Sequence, residues 1–174
     1  MKKALFFTFF LFLCGCGYQI QSTKRPLNLS ISSIAIPMVK STSSFLGFEA
    51  KLTEMIRQQF ISHSGLKIVP QDEADAVLIA EVVDIKTEPM SYAVREGSYE
   101  VTNSRWLKVK MVAKLVDRRT GKIIWSATFR ERAVYNVVAQ SPDPLETRYN
   151  ETQALMTIGK QFSERIYLRT MERF

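Results

Sequence analysis

Apolar and polar positions change their period several times along the chain, and each change marks an element. Residues 31–39 are rich in Ile, Val and Ser and meet a proline at Pro37, which predicts a first strand. From Phe45 the apolar residues Phe45, Phe48, Leu52, Met55, Ile56 and Phe60 recur at three- and four-residue spacing. That spacing lays them on one stripe of a helix ending near His63, with Gly65 available for a left-handed C-terminal position. Residues 66–69, closed by Pro70, predict a short second strand. Strand, helix and strand in that order form a crossover unit, which sets the two strands parallel.

Beyond an acidic link over residues 72–75, the β-branched run 76–85 predicts another strand. The clearest alternation follows: Leu107, Val109, Met111, Ala113 and Leu115 point one way, and Lys108, Lys110 and Lys114 the other. Residues 117–121 make a hairpin loop with Gly121 available for a positive φ, and Ile123, Trp125, Ala127 and Phe129 continue as the return strand, opposite Arg130 and Arg132. Asp143 with Glu146 resembles a capping box, Pro144 suits the first helical position, and a long helix follows. Its apolar face is expected to contain Leu145, Tyr149, Leu155, Met156, Phe162, Ile166 and Met171. The fold class is therefore α+β, a two-layer sandwich with two helices packed on one face of a mixed four- to five-stranded sheet, in the order β-α-β-β-β-α.

The first residues follow another rule. Lys2 and Lys3 precede an apolar run, residues 4–13, interrupted only by Thr8. This is too short to span a bilayer, which takes roughly 20 apolar residues, and has the form of a signal peptide. The run closes on Leu13-Cys14-Gly15-Cys16, which looks like a bacterial lipobox: an apolar residue at −3, a small one at −1, then the cysteine that receives lipid. Cys14 would have Leu13 at its −1 position, so Cys16 is the expected lipidation site, the alternative being an ordinary secretory leader with incidental cysteines. The expected organisation is a signal peptide over residues 1–15, a lipidated cysteine and tether over 16–28, and a single α+β domain over 29–174. Such a product is anchored by acyl chains.

Charge and chemistry-bearing residues then restrict the function. Cys14 and Cys16 are the only cysteines and His63 the only histidine, which excludes a disulfide scaffold and a cysteine- or histidine-clustered metal site. His63 has no nucleophile or ligand near it at useful spacing and reads as a helix-end cap. Asp72, Glu73 and Asp75 alternate with alanine and read as a solvated link, not a calcium loop. No catalytic group, cofactor site or metal site is expected, so the chain is read as not an enzyme. The net charge is +7, and the basic residues Lys108, Lys110, Lys114, Arg118, Arg119, Lys122, Arg130 and Arg132 concentrate on the hairpin. Nucleic acid is the usual partner of such a stripe, but a lipoprotein leader directs the chain away from it. An anionic lipid or a polyanionic envelope glycolipid is the envelope's equivalent ligand, bound through its phosphates, and the alternative is a solvated sheet face kept soluble by lysine.

Together, Cys16-Gly17-Tyr18, the strand Ile34-Ala35-Ile36-Pro37, the helix with Leu52-Thr53 and Phe60, the segment Ala74-Asp75-Ala76-Val77-Leu78 and a basic hairpin before a terminal helix resemble the LptE family of lipopolysaccharide-assembly lipoproteins. The resemblance implies two helices against a mixed sheet, a heterodimer with the outer-membrane barrel LptD, and help in inserting lipopolysaccharide at the cell surface. It also implies an outer-membrane location, with the body facing the periplasm and the barrel lumen. A basic residue on the loop side of the third strand is tied to lipopolysaccharide in the family, and Arg95 stands at the similar place, with Lys108 and Lys110 along the next strand. Gln140 occupies the position nearest to a second such residue. The alternative reading is a periplasmic lipoprotein that assembles a secretion or curli-type channel, with an anticodon-binding-like fold.

Overall fold

The computed structural model describes residues 31–42, 47–94, 100–137 and 144–171, and among these the chain forms six strands and two helices. Strand β1 (Ser33–Ala35) lies between β3 (Lys67–Ile68) and β4 (Ala76–Val94), parallel to both. The strand expected over residues 31–39 is shortened to Ser33–Ala35 and ends before Pro37, which has no N–H for a ladder. Residues 36–39 form no strand, and a separate β2 (Lys40–Ser41), just past the expected segment, pairs farther along β4 and raises the strand count above the four or five expected. Side chains of helix α1 (Phe48–His63) hold the interval between them. Arg57 Nε and Nη2 donate to the Ile36 carbonyl at 2.9 and 2.6 Å, and Thr53 Oγ1 accepts from the Val39 N–H at 2.9 Å.

The stripe Leu52, Ile56 and Phe60 of α1 is fully buried, as its four-residue spacing requires. Entry to the helix passes through Gly47 at φ +92°, a left-handed conformation that costs glycine little. The exit differs from expectation. Ser64 is extended, and its N–H and hydroxyl both donate to the Phe60 carbonyl, at 2.9 and 2.7 Å. With that carbonyl satisfied, no left-handed residue is needed, and Gly65 does not take a positive φ.

Strands β4, β5 (Glu100–Asp117) and β6 (Ile123–Asn136) form an antiparallel meander, giving the order β3-β1-β4-β5-β6. The β5–β6 loop turns at Gly121, φ +69°, as its position predicts. Asp117 caps this loop by accepting from the Thr120 N–H at 2.7 Å, which holds its carboxyl below the usual carboxylate range. Asp75 is more than a solvated link. One oxygen, Oδ2, accepts from the N–H and hydroxyl groups of both Ser32 and Ser33 at 2.8–3.0 Å, joining the start of β1 to the start of β4. Those donors, the Ser32 N–H foremost, bring its pKa down to about 2.

Helix α2 (Pro144–Met171) packs beside α1 on the same face of the sheet. Its buried stripe is Ala154, Leu155, Ile158, Phe162, Ile166 and Tyr167. Leu145 and Tyr149, expected on this stripe, are exposed, because its continuation toward the N-terminus passes through half-buried Thr147, Asn150 and Glu151 instead. Gly159 lets the helices approach: a Cβ there would lie 2.8 Å from Met55 Sδ. Ile123 is also exposed, since a register shift opposite Leu115 and Val116 turns it away from the face that Trp125 shares. The capping-box residue Asp143 lies outside the described residues.

Candidate functional site on the uncovered sheet face

Period-two alternation divides the meander into two faces. Leu107, Val109, Met111, Ala113 and Leu115 are at most 2 % exposed beneath the helices. The opposite face gathers charge from three strands, because register sets Lys108 beside Lys86 and Arg132, and Lys110 beside Asp84 and Arg130. A shallow depression of about 420 Å³ lies there, lined by Asp84, Lys86, Lys108, Lys110, Arg130 and Arg132. At the β1 end the same face is partly closed by a small apolar cluster of Ala35, Ala74 and Val77.

The acids on β4 divide these cations into two kinds. Lys108 pairs with Glu88, and Lys86 Nζ lies 3.0 Å from Asp84 Oδ2. Lys110 and Arg130 have no such partner among the described residues. Arg132 stacks on Trp106 with its guanidinium carbon 4.4 Å from the ring centroid. The arrangement offers phosphate two unneutralised cations and an arginine oriented by an aromatic ring, all within reach of solvent.

Of the expected ligand residues, Lys108 and Lys110 are thus brought together on β5, and the structure adds Arg130 and Arg132 to them. Lys86 and Trp106 were not singled out from the sequence. Asp84, Lys86 and Glu88 do alternate, but a bulge between Val82 and Asp84 reverses which parity faces outward. Arg95 and Cys16 lie outside the described residues. His63 is exposed at the end of α1, where Nδ1 is 3.1 Å from the Gln59 carbonyl, consistent with a helix-end role. Among the described residues no cluster of three metal-ligating side chains forms, and no helix is long and apolar enough to cross a membrane.

A family model described as LptE, lipopolysaccharide-assembly, matches residues 31–170. No curated protein matches the chain. Among solved structures, the chain is similar to an uncharacterized lipoprotein B from Nitrosomonas europaea, with a TM-score of 0.54 and 14% identity over 88% of each chain. It is also similar to a neuraminyllactose-binding hemagglutinin homologue from Helicobacter pylori, with a TM-score of 0.50 and 14% identity over 89% of this chain and 95% of that one. At these identities the structural likeness shows a shared fold.

Proposed function

This chain belongs to the LptE family of lipopolysaccharide assembly, and from that membership we propose that it is a non-enzymatic outer-membrane lipoprotein. In this reading it is anchored through acylated Cys16, partners the barrel LptD as a heterodimer, and helps insert lipopolysaccharide at the cell surface. The observation that carries the proposal is the uncovered basic face. Lipid A bears phosphates beside acyl chains, and a protein that passes it onward needs cations that engage phosphate without sequestering it. Lys110 and Arg130, open to solvent beside the paired Lys108, meet that need. Arg95, in the segment joining β4 to β5, is proposed as a further contact. Residues 1–15 act as a signal peptide, and residues 16–28 tether the domain of residues 29–174 to the membrane.

Co-purification of the tagged full chain from detergent-solubilised outer membranes tests the reading. One large barrel should accompany it in equimolar amount, and labelled palmitate should enter the wild type but not Cys16→Ala. Recovery without a barrel in every detergent, or with a secretion channel in its place, would contradict it.

A further inference from the structure

Among the described residues, two long strands leave an edge of the sheet unpaired, β6 and the part of β4 beyond β2, and the chain treats these edges differently. Beyond β2, the outer edge of β4 is broken by register shifts near Val83 and Met90 and carries Pro89, devices that discourage an added strand. Among the described residues strand β6 pairs only with β5, and its register runs without a shift from Trp125 to Asn136, a stretch that contains no proline.

Parity shows which of its groups are free. The Asp117 N–H donates to the Lys122 carbonyl at 2.9 Å, so the odd-numbered residues of β5 direct their backbone groups toward β6. Their register partners, Trp125, Ala127, Phe129, Glu131, Ala133 and Tyr135, are committed to β5. Ser126, Thr128, Arg130, Arg132 and Val134 therefore turn N–H and C=O toward the open edge. Asn136 has the same parity, and its carbonyl is taken from that side by Asn150 Nδ2 of α2 at 3.2 Å. Just there a cleft of about 240 Å³ opens between β6 and α2, lined by Val134, Asn136, Asn150, Gln153 and Thr157 among others. An edge strand flanked by a helix is the geometry in which extended peptides add to a sheet.

We propose that the β6 edge is a docking site for an extended segment of another protein that carries acidic side chains at every second position. A strand added at this edge places alternate side chains on the uncovered face beside Arg130 and Arg132, with Lys108 and Lys110 one strand behind. Self-pairing of two copies is disfavoured where it would use the arginines: antiparallel pairing centred from Arg130 to Arg132 sets arginine against or diagonal to arginine, and like charges across a pair destabilise it. Glutamate or aspartate at those places pairs with both arginines.

The probe is an eight-residue peptide alternating threonine and glutamate, with a threonine–lysine peptide as control, titrated onto the full chain in mild non-ionic detergent. The acidic peptide should bind roughly tenfold or more tightly than the basic one, and hydrogen exchange should slow at Thr128, Arg130 and Arg132. Thr128→Pro removes only an edge N–H, so the fold should persist while peptide binding falls roughly tenfold. Arg130→Glu with Arg132→Glu should reverse the peptide preference, which keeps the proposal falsifiable even if the proline variant misfolds. Acidic-peptide binding that leaves those amides unprotected, or equal binding of the two peptides, would overturn it, as would a folded Thr128→Pro variant that binds normally.

Discussion

Strand β5 presents two surfaces that differ in everything but sequence spacing. Its odd positions from Leu107 to Leu115 are sealed beneath α1 and α2, and its even lysines stand on a face neither helix covers. The two faces draw on different physics. Apolar area removed from water stabilises by about 25 cal/mol per Å² whatever lies beyond it. Exposed ion pairs such as Lys108 with Glu88 contribute about 0–1 kcal/mol. Stability thus constrains the covered face closely and leaves the uncovered one available for binding.

That contrast can be broken most strongly from the inside. Phe162→Ala empties a fully buried site where α2 meets the core, and should cost about 3–5 kcal/mol in denaturant unfolding. Asp75→Ala leaves the Ser32 and Ser33 donors without their shared acceptor and should cost about 1.5–3 kcal/mol. The sign of its pH dependence follows from the lowered pKa. Above the ordinary carboxylate value of 3.8 the contribution is complete, and it is lost as pH falls through that value toward about 2. Acid unfolding of the wild type should therefore steepen in this window relative to Asp75→Asn. Gly159→Val forces the Met55 side chain aside and should cost about 1–3 kcal/mol. On the uncovered face, Lys108→Gln with Lys110→Gln should change unfolding free energy by no more than about 0.5 kcal/mol. A loss comparable to that of Phe162→Ala would mean that this face is structural as well.

How much of this was legible in the sequence depended on whether a feature was local. The covered face of β5 could be read directly, because alternation is a property of one strand, and so could Gly121 at the hairpin. The crossover unit followed from element order alone. The outer half of β4 was not legible: its extension past residue 85 crosses two register irregularities and Pro89, which look like a strand's end until a partner is known. Lys86 was missed because the bulge between Val82 and Asp84 reverses which positions of β4 face outward. Leu145 and Tyr149 have stripe-like spacing, but which line of a long helix meets the sheet is decided by the contacts of Ile158 and Phe162. The split between paired Lys108 and unpaired Lys110 needed the register of three strands.

The central claim, that the uncovered face engages lipopolysaccharide, is tested most directly by titrating lipopolysaccharide onto the wild type and Lys108→Asp with Lys110→Asp, each alone and combined with Arg95→Asp, with circular dichroism confirming the fold. A well-formed charge-assisted contact is worth about 1.5–3 kcal/mol, so binding should weaken roughly tenfold or more, and wild-type binding should fall as salt rises. Folded variants that bind as the wild type does would contradict the account.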